Sequence, residues 1–466
     1  MELKAEEKLV GKPNEAAYRQ GLRPVLAPAS ARADATTLRV AALSVLLVSV
    51  ALDRFTVPVS GLNVKSEHAA IVALLAAFVV TSVRHISDGL PAVEWRRLLA
   101  WPLFWIAPYI GVILASSLIN SPDPGTSVRH TAMIALVASG AWMVYWLVNT
   151  PTLVRLAMKI MIALGVLEAA YVFVILAASR FGSTLGTQPG NGWLIVPYGT
   201  LWEPNLLGSF LAASSILLVA ALFSADKRLQ VGIAAGLALL LSALGLSLAR
   251  ASWLAFIAGS TVVLLLYFWA TRNGNTIPLH VQWRRSLLLF GLAVVGAVGF
   301  LAFVAPVIFP DTARGIQVRV NPQWYDPTKD PALQERVSTA SGALNGIPAH
   351  PIIGNGAGSY GIEHMGEHGA PGWISNLELH ILYDSGVLGL AAFATIVGLL
   401  LFASWRVFTR RGEPVDGIDL RPQLIGLLGS LAVLLVAFQA TEGTWMAFFW
   451  VYVGLLARAA SPKVGA

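Results

Sequence analysis

Residues 286–308 read SLLLFGLAVVGAVGFLAFVAPVI, twenty-three positions without one charged side chain. An α-helix rises about 1.5 Å per residue, so this run is long enough for the roughly 30 Å hydrocarbon core of a bilayer. The chain is expected to cross a membrane here. The rest of the composition agrees: 56% of the 466 residues are hydrophobic and only 12% charged, against roughly 25% charged in an ordinary soluble domain, and the mean hydropathy is +0.68.

Eleven further runs have the same character, near 37–53, 68–84, 100–119, 130–149, 154–178, 204–224, 229–248, 252–271, 385–405, 423–441 and 444–460. The expected fold is therefore an all-α polytopic membrane protein with about twelve transmembrane helices. An even count puts both termini on one side. With the N-terminus inside, 23 of the 32 Lys and Arg residues are cytoplasmic, as the positive-inside rule demands. This gives a cytoplasmic tail at 1–36, one transmembrane domain at 37–460, a large extracytoplasmic loop at 309–384 between spans nine and ten, and a cytoplasmic tail at 461–466. Residues 1–35 mix acidic and basic groups without an apolar core and cleavage site, so no removable signal peptide is expected.

Composition also excludes chemistry. The absence of cysteine removes disulfides, thiolate metal sites and Cys nucleophiles. A formal charge of +7 does not point to nucleic acid, because the basic residues are scattered through short linkers rather than gathered on one face. No repeat, low-complexity tract or heptad pattern appears.

The loop at 309–384 cannot live in lipid and is the expected working part. It holds Arg314, Arg319, Lys329 and Arg336, the histidines His350, His364 and His368, and a glycine cluster from His350 to Tyr360. The cluster lacks the Gly-Lys-Ser/Thr ending of a phosphate loop, so a close-packed turn is the plainer reading. His364 and His368 are four apart, but glycines at 361, 366 and 369 work against a helix there, and no metal or other cofactor is expected. Arg336 opens a stretch with apolar residues at helical spacing. It is open to pairing with Asp330 and Glu335 or to binding an anion.

Nine basic residues fall outside, against the topology signal. Arg54, Lys65 and Arg129 sit in short polar linkers and read as solvated. Arg250 is different: it lies in Leu246-Ser247-Leu248-Ala249-Arg250, where one apolar run meets the next with almost no linker. A guanidinium held there needs an anion, and no acid is near in sequence. A phosphate-type ligand is the favoured partner, with a salt bridge to a distant Glu or a snorkelling side chain as the alternatives. The glycine-rich stretch from Arg180 to Glu203, with Trp193, Tyr198 and Trp202, suits either interfacial anchoring or a grip on a sugar or lipid head group.

Asn376, His380 and Asp384 are four apart, so a helix places them on one face with Asp384 able to orient His380. Glu378 points to the opposite face, and Glu203 precedes Pro204-Asn205 at the mouth of another span. His380, Glu378 and Glu203 are the candidate general bases, with His380 preferred.

Four stretches together resemble the O-antigen ligase and O-antigen polymerase family of bacterial membrane glycosyltransferases: Thr200-Leu201-Trp202-Glu203-Pro204-Asn205, Ser247-Leu248-Ala249-Arg250, Arg336 ahead of His350-Pro351-Ile352-Ile353-Gly354-Asn355-Gly356, and Leu382-Tyr383-Asp384-Ser385-Gly386. The resemblance implies an undecaprenyl-diphosphate-linked glycan donor, a glycan or lipid acceptor, and transfer at the outer face of the bacterial cytoplasmic membrane. It also implies that Arg250 and Arg336 bind the diphosphate. The family's histidine at the start of the helix after the loop is replaced by Ser375, so the base does not carry over. The expected chemistry is metal-independent displacement with inversion, and a solute transporter or channel is the competing class.

Overall fold

The computed structural model describes residues 29–59, 62–86, 98–190, 194–272, 283–321, 330–364, 373–409 and 419–461. The expected tails at 1–36 and 461–466 lie partly outside that set, and Lys329, His368 and Trp193 wholly so.

Prolines begin many of the helices, because a first-turn residue needs no N–H partner and its fixed φ suits the helix. Pro124, Pro151 and Pro204 each open one. Asp123 and Thr150 cap two of these by accepting from the backbone N–H of Thr126 and Leu153. Among the described residues, eight helices are long and apolar enough to cross a membrane: Pro102–Ile119, Pro124–Leu147, Pro151–Ser179, Pro204–Ser224, Lys227–Leu246, Arg250–Arg272, Trp283–Ile308 and Leu377–Thr409. The protein is thus an all-α polytopic membrane protein. Four shorter apolar helices, Thr36–Ala51, Ser66–Val80, Arg421–Ala437 and Ala447–Ala459, lie where the sequence places the other apolar runs.

Pro204–Ser224 is the axis of the bundle: 94% of its apolar window is buried, against 11% for the peripheral Trp283–Ile308. It packs on Arg250–Arg272, Arg421–Ala437, Lys227–Leu246 and Pro151–Ser179. Small residues permit a close crossing of Arg250–Arg272 on Arg421–Ala437, where a Cβ on Gly259 would come within 2.8 Å of the Gly429 carbonyl oxygen. Close backbone approach of this kind replaces the hydrophobic effect as the driving force in lipid.

Two features depart from the helical reading. Thr56–Val59 pairs antiparallel with Leu62–Lys65, and Thr187–Gly190 with Leu194–Pro197. The first hairpin turns Lys65 inward, where its Nζ lies 2.6 Å from Asp53 Oδ1, so the expected solvated lysine is a buried ion pair. The segment 309–384 also contains the helices Pro310–Val320, Pro331–Gly346 and Ser359–His364.

The helix Leu377–Thr409 is broken at Gly386 (φ 62, ψ −167), and the glycine cluster repairs the break. Asn355 N–H and Gly356 N–H donate to the carbonyls of Tyr383 and Asp384, while Val387 N–H and Leu388 N–H donate to those of Pro351 and Ile352. Backbone groups freed inside an apolar span must find such partners. The plainer reading of the cluster, a close-packed turn, is what the structure contains. A Cβ on Gly386 would stand 2.4 Å from the Ile352 carbonyl. Gly386→Ala is therefore expected to cost at least about 1–3 kcal/mol from the backbone conformation alone, read as a lowered unfolding temperature in detergent. Gly398→Ala, with nothing within 4 Å of the added carbon, is the silent control.

Candidate active site

The connection between Lys227–Leu246 and Arg250–Arg272 is three residues long, and Leu248 takes a left-handed conformation (φ 58) to make it. That conformation is uncommon for a side chain branched like leucine's and persists only where packing enforces it. Leu194, Val196 and Ile316 surround Leu248. The turn fixes Arg250 as the first residue of its helix.

Arg250 Nη2 donates to Asp330 Oδ2, a carboxylate eighty positions away. The salt bridge to a distant acid, one of the alternatives weighed from the sequence, is made in this structure: tertiary folding supplies Asp330. Asp330 is buried, and its other oxygen caps the helix Pro331–Gly346 by accepting from Ala332 N–H at 3.0 Å. Arg319 Nη1 lies 3.8 Å from the same Oδ2.

Arg336, on the second turn of that helix, is half-buried and forms no side-chain ion pair among the described residues. Its expected pairing with Asp330 or Glu335 is not made, although both act on it through space. Burial, then the nearby Arg250, push its pKa below the usual guanidinium range, with Glu203, Asp330 and Glu335 acting the other way. Arg319 is pushed down by the same causes, burial first, then Arg250, with Arg336 adding to them. Three guanidiniums thus crowd one partly dry place.

Glu203 faces this group. Thr441 Oγ1 donates to its Oε1. Burial raises its pKa, and the neighbouring Glu442 adds to the rise against the pull of Thr441 and Arg336.

His380 Nε2 lies 2.9 Å from Asp384 Oδ2, the pairing expected from the i, i+4 spacing. Its Nδ1 lies 2.7 Å from Glu442 Oε1, an ion-pair contact that is not aligned as a hydrogen bond. Two carboxylates facing two ring nitrogens is the setting of an imidazolium, which has donors only and no lone pair to take a proton. Asp384 Oδ2 also accepts from Gly358 N–H at 3.2 Å, so His380 and Asp384 tie the glycine loop to the broken helix.

The expected single-face stripe is corrected at Asn376. Asn376 precedes the first helical residue, Leu377, and caps it, its Oδ1 accepting from Leu379 N–H at 2.9 Å. Freed from the helical period, its side chain donates to Gln439 Oε1, while Gln439 Nε2 donates to Glu378 Oε2, each at 2.7 Å. Asn376 and Glu378, expected on opposite faces, meet one amide.

Two candidates stand apart. Arg180 is exposed and donates to the Ile308 carbonyl at 3.1 Å, bracing two helices. Asn205 lies in the first turn of Pro204–Ser224, and its carbonyl accepts from Ser252 Oγ at 3.5 Å. Neither makes a hydrogen bond or ion pair with the other candidates among the described residues.

Residues 235–394 match a family model described as O-antigen ligase. They form an O-antigen ligase family domain. No functionally curated protein matches the chain. The O-antigen ligase domain contains Arg250, Arg319, Asp330, Arg336, His380 and Asp384, while Glu203, Thr441 and Glu442 reach its site from outside the matched segment. The family is one of membrane glycosyltransferases that act in O-antigen assembly, on lipid-linked glycans.

Sequence reasoning missed Asp330 as the partner of Arg250, the place of Arg319 beside the same carboxylate, and the whole linker that carries Gln439, Thr441 and Glu442. A signal for the linker was present: four polar side chains, Gln439, Thr441, Glu442 and Thr444, fall within six positions between two apolar runs.

With a carboxylate facing each His380 nitrogen, His380→Gln, which keeps an amide donor group, is expected to hold transfer within about tenfold of the parent. Loss of a true general base costs about 10²–10⁴. Glu378→Gln is expected to change stability by less than about 0.5 kcal/mol, as exposed substitutions do. Initial rates on folded His380→Gln and the unfolding temperature of Glu378→Gln check these, and a loss of about 10² or more in His380→Gln returns the base role to His380.

Proposed function

We propose that the protein transfers a glycan from an undecaprenyl-diphosphate-linked donor to an acceptor hydroxyl at the outer face of the bacterial cytoplasmic membrane, in the manner of an O-antigen ligase of lipopolysaccharide biosynthesis. One observation carries the reading: the half-buried Arg336, which has no ion-pair partner among the described residues, set beside Arg250 and Arg319. Like charges crowded out of water are costly unless an anion meets them, and guanidinium forks match phosphate oxygens.

In this reading the eight long helices and four shorter apolar ones make twelve spans over 37–460, with both termini cytoplasmic and the segment 309–384 outward. Arg250 and Arg336 hold the donor's diphosphate. The acceptor oxygen attacks the anomeric carbon, the bond from that carbon to the phosphate oxygen breaks, and undecaprenyl diphosphate departs with the electron pair. The arginines neutralise the charge that grows on it. Glu203 takes the acceptor proton: burial raises its basicity, as it does that of Glu335, but Glu203 is half-buried beside Arg336 whereas Glu335 is exposed. Attack opposite the leaving group inverts the sugar. Asn205 and Asn376 are then available to orient the glycan, and Asp384 with His380 hold the loop in place.

A polymerase of the same family uses the same donor chemistry with another repeat unit as acceptor. The test is glycan transfer by the purified protein in lipid nanodiscs from an undecaprenyl-diphosphate-linked donor, with lipid A core and a second repeat unit offered as separate acceptors. Transfer to either supports the reading and chooses between ligase and polymerase. Solute flux without transfer would replace it with a transporter.

A further inference from the structure

Arg319 and Asp330 have no role in the reaction as written, yet they stand at the centre of its charge. Asp330 Oδ2 takes the Nη2 donor of Arg250 and lies 3.8 Å from Arg319 Nη1. One oxygen set between two guanidiniums is the position that a phosphate oxygen takes when forks of this kind bind it. We propose that Arg319 is a third diphosphate-binding side chain and that Asp330 is the carboxylate the donor's diphosphate displaces. This rests on the donor chemistry proposed above.

The two oxygens of Asp330 divide the work. Oδ1 caps the helix that carries Arg336, through Ala332 N–H. Oδ2 holds the guanidiniums. When a phosphate oxygen takes over Arg250 and Arg319, the cap on Oδ1 remains, so the exchange does not unwind the helix. Arg319 is placed for such an exchange: it sits in the last turn of Pro310–Val320, with its side chain 23% exposed. Its contact to Asp330 is longer than a hydrogen bond, whereas a bound phosphate oxygen would bring the fork to full contact. Before the donor arrives, Asp330 screens three like charges from one another. Afterwards the diphosphate does so with two phosphates, and the carboxylate becomes a neighbour that the anion must push aside. Asp330 is in this sense a positioning residue that keeps the arginines gathered and sets how tightly the leaving diphosphate is held.

The experiment measures equilibrium binding of undecaprenyl diphosphate, carrying no glycan, to the full chain in nanodiscs at fixed salt, with undecaprenol as the uncharged control. Arg319→Ala is expected to weaken binding by about tenfold or more, the scale of one charge-assisted contact, and Arg319→Lys by less. Asp330→Asn keeps a side-chain oxygen for the cap and removes the competing charge, so it is expected to tighten binding by about tenfold. A gain in affinity cannot arise from a damaged fold, so that variant tests the idea even if Arg319→Ala folds poorly. Unchanged affinity in Arg319→Ala would remove Arg319 from the contact, and unchanged or weaker binding in Asp330→Asn would make Asp330 a fixed anchor. A parent protein that ignores undecaprenyl diphosphate overturns the donor reading itself. A parent that binds it, and loses it in Arg336→Ala while remaining indifferent to Arg319→Ala and Asp330→Asn, overturns this inference alone.

Discussion

Glu203→Gln is expected to lower glycan transfer by about 10²–10⁴, the usual span for a lost general base, with the protein still folded. Glutamine keeps the size of the side chain and can still accept from Thr441 Oγ1, the partner of Glu203, but it cannot take a proton. The pH profile supplies an independent check. Burial, with Glu442 adding to it, raises the Glu203 pKa, so the carboxylate gains its proton at a higher pH than an ordinary glutamate. The base form is the deprotonated one, and kcat/KM should therefore fall as pH is lowered, along a limb that lies above the ordinary carboxylate range and vanishes in Glu203→Gln. A variant with near-parent turnover, or with the limb intact, would move the proton to another group, Glu442 being the next carboxylate at the site.

Arg336→Ala is expected to cost about 10²–10³ in turnover, the scale on which removal of one group stabilising developing charge is felt, without loss of stability. The second half of that expectation is the more telling. Arg336 has no ion pair among the described residues, and burial and the nearby Arg250 already work against its charge. Removing it relieves repulsion rather than stranding a partner, so the unfolding temperature should hold or rise while activity falls. Arg250 behaves otherwise. Arg250→Ala takes the close hydrogen-bonded partner from buried Asp330, and breaking a buried pair costs about 3–5 kcal/mol. Arg250→Lys keeps the charge but loses the planar fork, and it is the variant in which rate and stability can be separated. If Arg336→Ala lowers stability and leaves transfer near normal, Arg336 is a structural cation and the diphosphate assignment falls.

Both arginines of the candidate site stood out in the sequence, for different reasons at the two positions. Arg250 stood out because a charge between two apolar runs with no linker has nowhere to go. Arg336 stood out through its place ahead of the glycine cluster and the resemblance that stretch carries. The glycine cluster itself was read correctly as a turn, since it lacked the residues that make a phosphate loop. Its purpose was not legible: the sequence does not say that Gly386 would break a helix further along the chain, leaving carbonyls for Asn355 and Gly356 to bond. The stripe through Asn376 failed at a helix end, where capping geometry overrides the 100° period.

What the sequence by itself determined is the class of the molecule and the positions of its apolar runs, because a bilayer imposes one length and one polarity on every crossing helix and those are local properties. It also pointed to an anion beside Arg250. Tertiary structure alone decided which anion stands there, since Asp330 is eighty residues away and reaches Arg250 only after Pro310–Val320 and Pro331–Gly346 have packed. It alone decided that His380 lies between two carboxylates, because Glu442 comes from the linker before the last apolar helix. Electrostatic partnership depends on distance through space, and separation along the chain carries almost no information about it.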